Sequence, residues 1–110
     1  MPTQPETRLV GRIRKAIEAE FPSAFVTKIA GGAYQNAGLP DLLVIVFGLA
    51  VALEVKCQGP TESEAHARGR ETLRQRSVRE SIVRAGAVAE VVLSPEEALA
   101  AVRRAVFGTL

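Results

Sequence analysis

The 110 residues suffice for one domain with one hydrophobic core. Hydrophobic residues make up 47% and charged residues 24%, a composition that excludes a disordered chain. The longest apolar run, residues 42–53, is too short to cross a bilayer as a helix, and the N-terminus lacks the basic-then-apolar order of a signal peptide. The single cysteine, Cys57, cannot form an internal disulfide, and the net charge of +2 by itself points to no partner. We therefore expect a cytoplasmic protein.

The first part of the chain predicts a helix, a strand and a loop. Residues 6–21 carry apolar side chains at helical spacing, and Pro22 ends the pattern. Residues 24–30 alternate loosely between apolar and polar side chains, which favours a strand. Residues 31–38 read GGAYQNAG and predict a glycine-rich loop.

Two strands follow, over residues 41–46 and 49–56, joined by a tight turn at residues 47–48. Both segments are apolar on both faces and rich in β-branched side chains, as is typical of central strands in a sheet. A turn of two residues fixes the pairing of the strands, and it places Asp41 opposite Glu54. A slip of one residue would move Asp41 to the opposite face of the sheet.

The polar connection over residues 57–69 predicts a short helical piece that begins with Thr61 and Glu64 as a capping box. A longer helix is predicted from about residue 70 to residue 84, with Gly86 as its C-cap. The residues expected on its inner side are Leu73, Val78, Ile82 and Val83.

The last predicted elements are a strand over residues 88–93 and a helix that reaches about residue 107. Ser94 is the expected N-cap of this helix, because Pro95 and Glu97 follow at its first and third positions. The order of helix, three strands, helix, strand and helix predicts a single α/β domain over residues 1–110, with a small mixed central sheet flanked by helices.

Charged side chains meet at one end of the predicted hairpin. Opposite residues on one face have Cβ atoms roughly 5 Å apart, so Asp41 and Glu54 repel each other unless a cation lies between them or one is protonated. Strand periodicity puts Lys56 on the same face as Glu54. Carboxylate oxygens suit a hard cation such as Mg²⁺, and the Val55 carbonyl could add a ligand. The alternative is structural, with Asp41 as a strand cap and Glu54 paired with Lys56.

The motif GLPD at residues 38–41, followed by EVK at residues 54–56, resembles the signature of the PD-(D/E)xK nuclease superfamily. The Gly-x-Pro-Asp form and the small size are similar to the VRR-NUC family. Gln75 lies in QRSVRESIVRAG, which resembles the glutamine-bearing helix that follows the catalytic hairpin in that family. The resemblance covers about residues 6–99. It implies a restriction-endonuclease-like αβββαβ core, here with an additional C-terminal helix.

This resemblance implies metal-dependent hydrolysis of phosphodiester bonds in DNA. Asp41 and Glu54 would hold Mg²⁺, with Mn²⁺ as a substitute, and the Val55 carbonyl remains a candidate ligand. Lys56 would orient the attacking water and offset the developing phosphoryl charge. Gln75 would contact phosphate or position Lys56.

The family also has an acid on the first helix, where Glu6, Glu18 and Glu20 are the candidates. At 100° per residue, Glu6 points to the apolar side of the helix, whereas Glu18 lies about 120° away from it. Glu20 is near the apolar side but several turns further along. Glu6 is therefore the expected further ligand, and the alternative is a first-turn acid favoured only by the helix dipole.

An arginine-rich stretch over residues 68–84 predicts either a phosphate-binding surface or a solvated helix face with Arg/Glu pairs. The resemblance adds weight to the first alternative, because part of the stretch shares a helix with Gln75. For Tyr34, packing over the glycine-rich loop is an alternative to a DNA contact. The DNA-binding candidates are Lys28, Tyr34, Gln35, Arg74, Arg76 and Arg79.

Together these features favour a Mg²⁺-dependent DNA endonuclease. Stand-alone members of the family resemble Holliday-junction resolvases that act as homodimers, so branched or junction DNA is the expected substrate, in repair or recombination. The apolar final helix could supply part of the dimer interface. A second hypothesis is a non-catalytic DNA-binding or assembly module with the nuclease fold. A sequence-specific restriction enzyme is a weaker third reading, since the chain has little room for a base-reading subdomain.

Overall fold

The computed structural model describes residues 5–29 and 38–108. The elements in these parts of the chain are α1 (Pro5–Glu20), β1 (Phe25–Lys28), β2 (Leu42–Val46), β3 (Leu49–Val55), α2 (Glu64–Gly69), α3 (Leu73–Arg84), β4 (Val88–Val92) and α4 (Pro95–Phe107). This order confirms the predicted αβββαβ core with its C-terminal helix, and α2 is the short helical piece within the connection. No helix in the described ranges has both the length and the apolar character that a membrane span requires.

The strands form one mixed sheet in the order β1-β2-β3-β4. β1, β2 and β3 are antiparallel neighbours, and β4 runs parallel to β3. The turn between β2 and β3 has the predicted length, and the ladder runs in the predicted register, from Val46 opposite Leu49 to Leu42 opposite Leu53. The turn residues Phe47 and Gly48 have φ of 50° and 78°, and positive φ at both central residues is what a type I′ hairpin turn requires.

α1 and α4 pack side by side on one face of the sheet. Helix α1 contributes its apolar stripe, α4 contributes two alanines and a valine, and the strands contribute every second residue. The resulting core comprises chiefly Leu9, Ile13, Ile17, Val44, Val51, Leu53, Val55, Ala98, Ala101 and Val102, which are all at most 2% exposed. Burial of this apolar surface is the main stabilising contribution to the fold.

α3 lies against the opposite face of the sheet and contacts β4. This face buries the small residues Ala52 and Ala89, which are register partners on β3 and β4. The prediction that Leu73 and Val83 face inwards is wrong, since they are 83% and 50% exposed. No residue of α3 is fully buried, because the helix rests on the sheet along a narrow side only.

The starts of α2 and α3 also differ from the prediction. Ser63 caps α2 and accepts a hydrogen bond from the His66 amide, so Thr61 is not the cap. α3 begins at Leu73 and not near residue 70, because Thr72 is its N-cap. Thr72 and Gln75 form a reciprocal capping box, a Thr-x-x-Gln pattern that the sequence displays and that the prediction missed.

The start of α4 agrees with the prediction, since the Ser94 hydroxyl accepts a hydrogen bond from the Glu97 amide at 3.1 Å. The apolar side of α4 is used within the chain's own core. Its outer side carries Arg103 and Arg104, which pair with Glu20 and Glu90. An α4-mediated dimer interface therefore has to rely on this charged side or on the helix end, where Phe107 is exposed.

Candidate active site

Asp41 lies immediately before β2 and is fastened to β3 by two hydrogen bonds. The Asp41 amide donates to the Leu53 carbonyl at 3.0 Å, and the Val55 amide donates to Asp41 Oδ2 at 2.7 Å. On the other side, the Ile29 amide beyond β1 donates to the Asp41 carbonyl at 2.9 Å. Asp41 is therefore held at the start of β2 by backbone groups from both neighbouring strands, and one of these groups binds its carboxylate.

Glu54 is buried on β3, with 5% of its surface exposed, and its carboxyl group lies beside that of Asp41. Burial raises the pKa of Glu54 to about 8, and the negative charge of Asp41 adds to the shift. Lys56 opposes this shift, and its Nζ lies 3.7 Å from Glu54 Oε1. Two carboxyl groups in contact thus retain a proton near neutral pH unless a cation replaces it.

Gln75 connects Glu54 to Lys56. Its Nε2 donates to Glu54 Oε1 at 2.9 Å, and its Oε1 accepts from Lys56 Nζ at 3.2 Å. The same Oε1 accepts from the Thr72 amide at 2.9 Å. Because a backbone N–H can only donate, the capping box fixes the orientation of the amide and directs its NH₂ group to Glu54. The structure therefore brings Asp41, Glu54, Lys56 and Gln75 together.

Glu71 is an additional acid next to the site that sequence reasoning missed. Its side chain is 4% exposed, and Arg79 binds both of its oxygens, at 2.7 and 3.0 Å. The hydrogen bond with Arg79 lowers the pKa of Glu71, and the charge of Glu71 contributes to the raised pKa of Glu54. Arg76 Nε lies 3.7 Å from Glu71. A Glu-x₇-Arg spacing carries no recognisable signal, because the pair forms through a bend in the chain before α3.

Three more of the predicted residues, Glu6, Lys28 and Arg74, lie in the described part of the chain. Glu6 is partly exposed in the first turn of α1, and its charge acts on Arg70, whose pKa is raised chiefly by a hydrogen bond with Glu62. Lys28 is exposed at the end of β1, opposite Leu42 and so near Asp41 in the sheet. Arg74 is exposed in the first turn of α3. Tyr34 and Gln35 lie outside the described residues.

The polar connection after Lys56 is tied to α2 and to the start of α3. Glu62 accepts hydrogen bonds from Arg70 Nε at 2.9 Å and from the Gly59 amide at 3.0 Å. Arg70 also donates to the Cys57 carbonyl at 2.6 Å. These bonds lower the pKa of Glu62, and the arginine neutralises its charge locally. The negative charge of Glu62 is therefore paired with Arg70.

The carboxylate oxygens of Asp41 and Glu54 fit a hard divalent cation that takes only a few of its ligands from the protein. In the described ranges, no cluster of three or more His, Cys, Asp or Glu side chains is arranged to hold a metal. Two carboxylates in contact remain, and Mg²⁺ commonly binds through one or two carboxylates and completes its shell with water and substrate phosphates. Protein zinc sites usually include histidine or cysteine ligands, and neither is among these carboxylates.

Neither a protein-family model nor a curated protein matches the chain. A solved structure described as "VRR_NUC domain" is similar to it, with a TM-score of 0.57 and 26% sequence identity. The match covers 92% of this chain and 97% of that chain. The likeness thus covers most of the chain, and it confirms the fold that the sequence predicted.

Proposed function

Since the chain belongs to the VRR-NUC family of nuclease-fold proteins, we propose that it is a Mg²⁺-dependent DNA endonuclease. The observation that carries the proposal is the contact between the carboxyl groups of Asp41 and Glu54, with Lys56 and Gln75 hydrogen-bonded beside them. A buried acid that lies beside a second carboxylate destabilises a fold unless its charge is neutralised. A cation and a phosphate group turn the same arrangement into a favourable one.

Asp41 and Glu54 would hold the metal, and the Val55 carbonyl and Glu6 are candidates for further ligands, Glu6 through water. Mg²⁺, or Mn²⁺ in its place, would polarise a phosphoryl oxygen and lower the pKa of the attacking water. The Val55 amide engages one carboxylate oxygen of Asp41, and the Gln75 side chain engages one carboxylate oxygen of Glu54. The second oxygen of each group is the one that we assign to the cation.

Lys56 would orient the attacking water and offset the charge that develops on the phosphoryl oxygens. Its side chain is 11% exposed, and its ammonium group is held between Glu54 and Gln75, so little reorganisation is needed when substrate binds. The water oxygen forms a bond to phosphorus, the bond to the 3′ oxygen breaks, and that oxygen takes up a proton. The products carry a 5′-phosphate and a 3′-hydroxyl.

The DNA backbone would run past the first turns of α3. Arg74 and Arg76 are exposed there, whereas Arg79 is occupied by Glu71 and would support the helix more than it grips phosphate. Lys28 on the far side of Asp41 would contact the neighbouring phosphates, with Tyr34 and Gln35 as further candidates.

We propose branched or junction DNA as the substrate and a homodimer as the active form. One compact domain offers one such site, and symmetric cutting of two strands requires two sites related by a two-fold axis. Sedimentation of the free protein tests the dimer separately from the chemistry. A monomer at assay concentration removes the resolvase proposal and leaves the nuclease proposal intact.

The test is cleavage of labelled four-way junction, flap, nicked and linear duplex DNA, with Mg²⁺, with Mn²⁺ and with EDTA. We expect metal-dependent cleavage that is fastest on the junction and is lost in Asp41→Asn and Glu54→Gln. The matched control is Glu18→Gln, which removes an exposed acid on α1 and should cleave like the wild type.

The rival function, a non-catalytic DNA-binding module, predicts a different pattern. Junction binding would then be the same with Mg²⁺ and with EDTA, and no product would form with the wild type or the variants. Loss of cleavage with retained binding in both Asp41→Asn and Glu54→Gln supports the enzyme instead.

A further inference from the structure

The backbone of Gly38, the first residue of the GLPD motif, lies against the first turn of α3. Gly38 has a φ of 89°, which favours glycine. A Cβ placed on it would lie 2.8 Å from Cγ of Arg74 and 2.9 Å from the carbonyl carbon and oxygen of Arg74. Two of these atoms are backbone and cannot rotate away. A side chain at position 38 therefore requires the loop and the helix to separate.

Two of the three atoms that such a Cβ would meet, the carbonyl carbon and oxygen of Arg74, belong to the peptide bond between Arg74 and Gln75. Ordinary van der Waals contact begins near 3.4 Å, so a Cβ at position 38 would displace this peptide by about 0.5 Å. The Gln75 bond to Lys56 is already 3.2 Å long. A displacement of that size lengthens this hydrogen bond to a distance at which it contributes little.

The side chain of Gln75 has little freedom to compensate for such a displacement. Its Oε1 also accepts from the Thr72 amide at 2.9 Å, and the Thr72 hydroxyl accepts from the Gln75 amide at 3.0 Å. Both bonds lie within the same turn of α3, so the turn and the side chain move as one unit. The position of this turn relative to β3 consequently sets the reach of Gln75 to Glu54 and Lys56.

We propose that Gly38 is a positioning residue, which acts together with the Thr72 cap to hold Gln75 against Glu54 and Lys56. Gly38 sets the distance of the turn from the sheet, and Thr72 sets the orientation of the amide. The glycine of the motif thus serves the site through α3 and not through a contact with DNA. This proposal rests on the proposed function for its kinetic readout, and it also makes a prediction that requires no activity.

The kinetic test compares Gly38→Ala with Gly86→Ala. Gly86 lies just after α3 with a φ of 98° and has nothing within 4 Å of an added Cβ, so both variants meet the same backbone strain and only the first meets the helix. At saturating Mg²⁺ and junction DNA, we expect a single-turnover rate at least tenfold lower for Gly38→Ala, with the Kd for DNA unchanged within twofold. Gly86→Ala should retain the rate within twofold.

A double variant separates positioning from a general loss of structure. If Gly38 acts through Gln75, Gly38→Ala has no further effect on the rate in a Gln75→Ala background. An equal rate loss in both backgrounds, or an equal loss in Gly86→Ala, overturns the proposal.

A second variant reaches the same turn without added bulk, in case Gly38→Ala does not fold. Thr72→Ala removes the hydroxyl that accepts a hydrogen bond from the backbone amide of Gln75 and so loosens this turn. Thr72→Ser keeps the hydroxyl. We expect a lower rate in Thr72→Ala and a wild-type rate in Thr72→Ser. Thr72→Ala with a wild-type rate contradicts the proposal.

The readout that requires no activity is the side-chain NH₂ signal of Gln75 in a ¹⁵N-correlated spectrum, assigned by its absence in Gln75→Ala. We expect this signal to move in Gly38→Ala and to stay in place in Gly86→Ala. If the wild type cleaves no DNA, the proposed function fails while this spectrum still decides on the positioning. If the signal is the same in the wild type, Gly38→Ala and Gly86→Ala, the positioning role of Gly38 is wrong whether or not the enzyme is active.

Discussion

Replacing Glu54 by glutamine should make the metal-free protein more stable at alkaline pH. Glu54 is buried and faces the negative charges of Asp41 and Glu71, with Lys56 as the opposing cation. Glutamine has the shape of the protonated acid, keeps an oxygen to accept from Gln75 and adds an NH₂ group that can donate to Asp41. The variant therefore resembles the low-pH form of the site at every pH.

The magnitude follows from the raised pKa of Glu54, about 8 in the folded protein against an ordinary value of 4.5. The folded chain keeps a proton that the unfolded chain releases between these values, so stability falls as the pH rises through this window. At 1.36 kcal/mol per pH unit, the complete loss above pH 8 amounts to at most about 5 kcal/mol.

The assay is urea unfolding in EDTA from pH 5 to pH 9, for the wild type, Glu54→Gln and the control Glu18→Gln. Near pH 5 the wild type and Glu54→Gln should be similarly stable. At pH 9 Glu54→Gln should be the more stable by a few kcal/mol, and Glu18→Gln should follow the wild type throughout. If the free energies of unfolding of the wild type and Glu54→Gln change in parallel over this whole pH range, the raised pKa of Glu54 is refuted.

Added Mg²⁺ gives the complementary result. A cation competes with the retained proton, so it should raise the free energy of unfolding of the wild type more at pH 9 than at pH 6. Glu54→Gln should lose most of this gain. A wild type that Mg²⁺ does not stabilise at either pH would argue against a metal between these two carboxylates.

Three further outcomes concern the residues around the pair. Lys56→Ala should lower the single-turnover cleavage rate by about 10²–10³-fold with little change in junction binding, because it removes a preorganised charge. Rate and gel-shift measurements check this, and equal losses of rate and of binding would point to a binding role. Arg79→Ala should lower the free energy of unfolding by about 3 kcal/mol, since it leaves Glu71 buried without its main partner. In the same urea titration, the exposed control Arg84→Ala should lower the free energy of unfolding far less. Arg76→Ala should weaken DNA binding irrespective of sequence and lower the slope of log Kd against log salt by about 0.9; an unchanged slope removes Arg76 from the DNA surface.

Local sequence patterns determined the main elements of this protein. Helix α1 follows from apolar residues at helical spacing, and α4 follows from the Ser94-Pro95 start signal. The hairpin register follows from a turn of two residues between two strands that are apolar on both faces. All of these signals lie within a few residues of the structure that they specify, so neighbouring residues suffice to read them. The register in turn placed the carboxylate of Asp41 beside Glu54 and put Lys56 on the face of Glu54.

Only the tertiary structure decided how α3 meets the sheet. The N-cap of α3 at Thr72 and the burial of Glu71 against Arg79 depend on the path of residues 57–72. That path is set by the simultaneous packing of segments distant in sequence, for which no periodicity exists. The same holds for Gly38, whose place in the motif is visible in the sequence. The reason for glycine there is the peptide of Arg74, which packing brings within 3 Å of where a Cβ would be.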